Sequence, residues 1–181
     1  MLQKLLFNRR SVRKYQDKKV ERPKIEAVVK AALTAPTGKN LKPVEIIVVE
    51  DEQTLKLLAQ VRGAASKQIA GAPLAFVVIA DTRESSTWLS DTAITAIIIQ
   101  LLAEDNGLKS CWVHVENRKA EDGTSSEAKV RKALGIAEYY TAHCIVAVGY
   151  QGEEKCAYTE EDLDYSKVHK ERFGNSFIQN T

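Results

Sequence analysis

Residues 73–115 read PLAFVVIADTRESSTWLSDTAITAIIIQLLAEDNGLKSCWVHV, and three successive patterns in them set the fold class. Pro73–Ala80 is a short run of apolar and β-branched residues bounded by a proline and a polar stretch, which predicts a buried strand. Ser90–Asn106 carries Ala, Ile and Leu nearly all round, so it predicts a helix enclosed by protein on most sides. Asn106-Gly107 ends it, with glycine suited to the left-handed position past a helix. Ser110–Val115 then returns to strand character. A buried strand, an enclosed helix and a second strand need further layers to cover them.

Those layers are legible on both sides. Upstream, Leu2–Phe7 predicts a short helix, and a second starts near Pro23 with Ile25, Val28, Val29 and Ala32 at helical spacing. It ends before Ala35-Pro36, because a residue before proline avoids the α region. Thr37–Asn40 predicts a loop, Val44–Glu50 (VEIIVVE) a strand, and Glu52–Arg62 a helix. The small and polar stretch Gly63–Ala72 predicts a loop or mobile lid. Downstream, Ser126–Leu134 predicts a helix capped by Ser125 or Ser126 and stopped by Gly135, and Ala142–Tyr150 a strand. From Gln151 the chain is polar, with Leu163, Tyr165, Val168 and Phe173 as sparse anchors. Such a tail must lie over something, a second subunit included. Strands separated by helices without strict βαβ alternation predict an α+β fold, and the absence of repeats or linkers predicts a single domain over 1–181.

Composition excludes several classes. Of 181 residues, 44% are hydrophobic and 28% charged, the balance of a globular protein. The longest apolar run, Ala93–Leu102, is broken by Thr95 and Gln100 and is too short to span a bilayer. With no signal-peptide pattern, a cytoplasmic location is expected. The three cysteines (Cys111, Cys144, Cys156) and three histidines (His114, His143, His169) show neither CxxC nor HExxH spacing, so no metal site and no catalytic thiol are expected. The net charge of +2 hides an asymmetry: residues 1–30 hold ten Lys/Arg against three acids, leaving the remainder at −5. A local basic block asks for an anionic partner.

Within that block, Arg9-Arg10-Ser11-Val12-Arg13-Lys14-Tyr15 is the most informative segment. Extended backbone would bring Arg9, Ser11 and Arg13 to one side, and two guanidinium forks beside a hydroxyl suit phosphate oxygens. The same residues would also suit a solvated basic strand or an RNA-binding arm. Neither GxGxxG nor GxxxxGK[ST] is present, so any nucleotide phosphate is held by something other than a Rossmann or P-loop motif.

RRSVRKY resembles the FMN-phosphate segment of the nitroreductase family. Three further stretches resemble that family in the same order. They are Ala35–Pro43 (APTGKNLKP), Asp91 followed by Gly107–Trp112 (GLKSCW), and Val146–Tyr150 (VAVGY). The resemblance implies a mostly antiparallel central sheet flanked by helices, a C-terminal tail wrapping a partner in a homodimer, and FMN held between subunits. It implies reduction by NADH or NADPH and electron transfer to nitroaromatics, quinones or similar small-molecule acceptors by a ping-pong mechanism. Carried over by position, Arg9, Arg10, Ser11 and Arg13 would bind the phosphate. Thr37, Gly38 and Asn40 would approach the same flavin from the partner, and Trp112, Val113 and His114 would lie along the isoalloxazine. Backbone there would donate near the flavin N5, the atom that accepts hydride. Lys170 or Arg172 of the tail would complete the phosphate site. The chemistry is then flavin-borne and needs no catalytic side chain. His114, Lys42 and Ile98 depart from the family pattern. A flavin-binding or flavin-processing relative without turnover, and a nucleic-acid-binding module using the basic N-terminus, are the alternatives; the acidic remainder of the chain counts against nucleic acid.

Overall fold

The computed structural model describes residues 2–178. Its regular elements are α1 (Leu2–Asn8), α2 (Arg22–Ala32), β1 (Val44–Val49), α3 (Glu52–Leu58), β2 (Leu74–Asp81), α4 (Trp88–Asp105), β3 (Lys109–His114), α5 (Ser126–Leu134) and β4 (Tyr140–Gly149). The strands form one sheet in the order β1-β2-β4-β3, and every neighbouring pair is antiparallel. The α+β expectation and the central antiparallel sheet are both met.

β2 and β4 are central, and all eight residues of β2 are buried. Their side chains alternate between two cores. Ala75, Val77, Ile79, Ile145 and Ala147 pack under α3 and α5, with Leu55, Leu58 and Val130. Leu74, Phe76, Val78, Val146 and Val148 pack under α2 and α4, with Ile25, Val28, Ala96 and Ile99. The alternation breaks once. Val78 pairs with Cys144 and Ile79 with Ala142, so His143 has no residue opposite on β2. This β-bulge inserts an extra residue and re-aims the side chains around it.

Helix ends follow the sequence. Gly107 and Gly135 take φ of 72° and 67°, the left-handed conformation that closes α4 and α5. Ser125 Oγ accepts from the Ala128 N–H at 3.3 Å and caps α5, and the Asp51 carboxylate does the same for α3 through Thr54 at 2.8 Å. The segment 63–72 is a loop, built as two tight turns anchored by Ile69 and Ser66, each 0% exposed. The Ser66 hydroxyl donates to the Ala59 carbonyl at 2.7 Å and accepts from the Arg62 N–H at 2.9 Å. Of the small residues in this segment, Gly63 and Ala72 are buried, while Ala64, Ala65, Ala70 and Gly71 face outward. Among the described residues, no helix is long and apolar enough to cross a membrane.

Candidate functional site

Arg9 follows α1, its N–H donating to the Leu5 carbonyl at 2.9 Å, and Ser11–Tyr15 then runs along the edge of the sheet beside β3. Ser11 forms a parallel bridge with Ser110, and Tyr15 an antiparallel one with Gln151. The Val12 N–H donates to the Ser110 carbonyl at 3.1 Å, and the Gln16 N–H to that of Tyr150 at 3.0 Å. Val12, 1% exposed, is the anchor. The Tyr15 phenol reaches the Ala147 carbonyl at 3.1 Å, and burial pushes its pKa far above the usual range. An anchored extended backbone holds the intervening polar residues in fixed directions.

Those directions separate the arginines. Arg10 turns to the tail: its guanidinium donates to the Cys156 carbonyl and stands 4.3 Å above the Tyr158 ring. Arg9 and Arg13 lie on the side of Cys111. Burial pushes the Cys111 thiol up, and both guanidiniums pull against that rise. Gln68 Nε2, from the segment 63–72, lies 3.8 Å from the Cys111 sulfur. Among the described residues no carboxylate pairs with the Arg9 or Arg13 side chain. The Arg13 backbone is fixed separately, its N–H donating to Glu153 at 2.6 Å.

The second element is the loop 37–42. Lys39, Asn40 and Lys42 all have positive φ, at 52°, 57° and 54°. This conformation is uncommon for residues with side chains and marks a loop shaped by its surroundings. Asp91 does the shaping. It is 2% exposed at the start of α4. Its Oδ1 accepts from the Gly38 N–H at 2.9 Å, and its Oδ2 accepts from the Thr87 and Ser85 hydroxyls at 3.1 and 3.3 Å. A Cβ on Gly38 would come within 2.1 Å of Thr87 Oγ1, so only glycine fits there. Asn40, Lys39 and Lys42 are left exposed. The sequence motif contained Asp91, but the reason for an acid at that position is visible only once helix and loop are brought together.

The third element is the end of β3. Val113 is 1% exposed within the α3/α5 core, so its side chain is structural and only its backbone faces the sheet edge. Trp112 and His114 face the other way, their rings nearly parallel at 11° with centroids 6.4 Å apart. His143 meets both edge-on, with centroids 5.2 Å from each. Trp88, the first residue of α4, closes the group with its ring 6.5 Å from His143. His114 Nε2 lies 3.7 Å from Glu116, yet its pKa is lowered: burial and the nearby Arg118 outweigh the carboxylate. The contact is therefore one with a neutral imidazole at pH 7. The His114 carbonyl accepts from Arg62 at 3.0 Å. His143 and Trp88 were not singled out by the sequence, where neither falls in a recognisable spacing.

Arg172 is the outlier. It sits in an exposed turn of the tail closed by its own backbone, with the Lys170 N–H donating to the Asn175 carbonyl at 2.9 Å. Among the described residues nothing joins it to Arg9 or Arg13 within one chain.

Residues 6–73 and 62–150 match the model of the Nitroreductase family. A protein of Archaeoglobus fulgidus with the provisional name NADH dehydrogenase/NAD(P)H nitroreductase is 30% identical over 175 residues, covering 94% of this chain and 97% of that protein. Among solved structures, an FMN-dependent nitroreductase from Clostridium difficile superposes with a TM-score of 0.92 at 43% identity, covering 94% of this chain and 99% of that one. A Bacteroides thetaiotaomicron protein bearing the same provisional name superposes with a TM-score of 0.86 at 28% identity, covering 95% and 98%.

Proposed function

The chain belongs to the Nitroreductase family, and on that premise we propose that it is an FMN-dependent oxidoreductase that takes electrons from NADH or NADPH and passes them to nitroaromatics, quinones or similar acceptors. The observation that carries this reading is the pair of guanidiniums, Arg9 and Arg13, flanking Ser11 on an anchored backbone and unpaired with any carboxylate among the described residues. That donor set fits the dianion of a phosphate monoester. A dinucleotide would need a pyrophosphate cradle, and no glycine-rich strand–helix turn is present to make one.

FMN, when bound, supplies the redox chemistry by accepting hydride at one face and giving it up to the acceptor. The chain holds and surrounds it. Arg9, Ser11 and Arg13 grip the phosphate, while Arg10 serves the clamp by fixing the tail at Cys156 and Tyr158. The backbone at Val113 and His114 offers donors along the sheet edge, with Trp112 and His114 as flat walls. Thr37, Gly38 and Asn40, held in place by Asp91, serve the partner's flavin, and Arg172 completes the partner's phosphate site. A homodimer is supported by exposed apolar residues on α4 and by a tail that makes few contacts with its own chain. In this reading residues 1–181 act as one flavin-binding domain in the cytoplasm. The basic block gives little support to a nucleic-acid partner: Lys18 and Arg22 pair with Glu21 and Glu26, and Lys24 binds the Tyr150 hydroxyl.

Two measurements test this. Denaturing the purified, flavin-loaded protein releases about one FMN per chain on chromatography; FAD as the only product overturns the reading. Initial rates at several acceptor concentrations give parallel double-reciprocal lines, since both substrates use one pocket in turn; intersecting lines reject the ping-pong mechanism.

A further inference from the structure

His143 is unusual for a residue that nothing in the sequence marked. It is 4% exposed on a central strand, and its Nδ1 is the buried side-chain nitrogen or oxygen without a hydrogen-bond partner among the described residues. Leaving such a group unpaired is costly, so an orphan in a folded chain calls for an explanation. Packing alone does not supply one. A phenylalanine would fill the same aromatic niche between Trp88, Trp112 and His114 without a polar atom to satisfy.

Two independent features tie the orphan to the site. The first is the bulge. Without it, the residue after Ala142 would alternate regularly along β4; with it, His143 and Cys144 both turn to the α4 side. Bulges next to sites commonly re-aim one side chain in this manner. The second is the company His143 keeps. It stands perpendicular to Trp112 and His114 at 5.2 Å from each, on the part of β3 proposed to carry the flavin ring. Trp88 is the one wall of this group not carried by the sheet.

Resting on the proposed function, we infer that His143 is a binding residue for the flavin: its imidazole presents Nδ1 to the ring edge of bound FMN. The chemistry matches. The pyrimidine edge of an isoalloxazine carries both carbonyl acceptors and an N–H donor, so either tautomer of a neutral imidazole finds a complement. The orphan of the free chain thereby gains its partner when the site is loaded.

This role makes opposite demands on the free and loaded forms, which a packing role does not. In His143→Phe the free chain loses an unsatisfied polar atom, so its melting temperature rises by about 2–4 °C. The same change removes a hydrogen bond from the complex, so the Kd for FMN, read by quenching of flavin fluorescence, rises about two- to tenfold. His143→Gln keeps a hydrogen-bonding side chain and recovers part of that affinity. In the wild type, the Nδ1 resonance of 15N-labelled His143 shifts on FMN addition. FMN bound equally by wild type and His143→Phe overturns this inference alone, the orphan then being met by a resident water. A free His143→Phe chain that melts below wild type also overturns it, as the mark of a structural ring. A wild-type chain that takes up no FMN overturns the proposed function and this inference with it.

Discussion

On the face of the sheet covered by α3 and α5, each helix carries its own side-chain cap: Asp51 binds the Thr54 N–H and Ser125 the Ala128 N–H. On the face covered by α2 and α4, neither helix does; Glu21 and Thr87 stand at the cap positions with no side-chain cap bond. The hydroxyl of Thr87 is turned instead to Asp91, which holds the loop at Gly38. The first face is also closed, with Leu57 the one exposed large hydrophobic residue on its two helices. The second leaves Leu89, Ile94 and Ile97 of α4 exposed. One face is finished for its own stability. The other leaves its helix starts without side-chain caps and part of its apolar surface open.

The largest effect that probes this difference is in the closed core. Ile145 is fully buried among Ala142, Val113 and Val130. Ile145→Ala should destabilise the chain by about 2–5 kcal/mol, the range for an aliphatic side chain removed from a packed interior. If the closed face stands alone, denaturant unfolding will show this loss equally at high and low protein concentration. A loss that varies with concentration would mean that this face, too, depends on assembly.

Next is the response to pH, which belongs to the open face. Burial, with a smaller contribution from His114, lowers the pKa of His143 from 6.5 to about 4. The unfolded chain therefore binds a proton that the folded chain refuses. The stability at stake is fully present above pH 6.5 and is lost as pH falls from 6.5 towards 4, on the order of 2–3 kcal/mol. Glu21 and Asp122 act in a lower window. The Tyr150 hydroxyl and Lys129 hold their pKa values at about 2, so their contribution is lost only below their ordinary values of 4.5 and 3.8. Melting curves of wild type and His143→Phe should diverge between pH 6.5 and 4. Parallel curves across that range would remove His143 as the cause.

The strands, both glycine stops and the Ser125 cap were legible because each is local: a run, a left-handed residue, a hydroxyl three positions from its N–H. The extended run at Ser11–Tyr15 agrees with the sequence expectation, its backbone bridging Ser110 and Gln151. The anchoring of 63–72 was not, since small residues suit tight packing and open loops alike. Asp91 could be seen in its motif but not its task, which joins residues 53 positions apart in sequence. His143 was invisible because a bulge is a mismatch between two strands, and one strand's sequence does not contain it.

The proposed flavin clamp gives the third test. Arg13→Ala removes a charge-assisted contact of about 1.5–3 kcal/mol and should weaken FMN binding about 10- to 150-fold. Stability of the free chain should change little, since no carboxylate loses a partner. Asn40→Ala should act in the same direction if it serves the partner's flavin. Mixing the two variants then restores one intact site in each heterodimer while the other carries both defects. Mixed samples that recover no FMN affinity, under conditions where subunits demonstrably exchange, would rule out a shared site.

The smallest effect separates the two faces most directly, because it compares two hydroxyls at two helix starts. Ser125→Ala removes the cap of α5, and Thr87→Ala removes a hydroxyl from the cap position of α4. Loss of an N-terminal cap costs about 1 kcal/mol, and loss of a hydrogen bond to a buried carboxylate costs at least as much. Stability alone will therefore not tell them apart. Flavin affinity will. Ser125 supports a helix in the closed layer, so Ser125→Ala should leave the Kd for FMN within about twofold of wild type. Thr87 holds Asp91, Asp91 holds the Gly38 N–H, and Gly38 sets the positive-φ turn that presents Asn40. Loosening that series by about 1 kcal/mol should raise the Kd about fivefold. Equal affinities in both variants would mean that Ser85, the other hydroxyl on Asp91, suffices to hold the loop, and that Thr87 is an ordinary residue at the cap position of an uncapped helix.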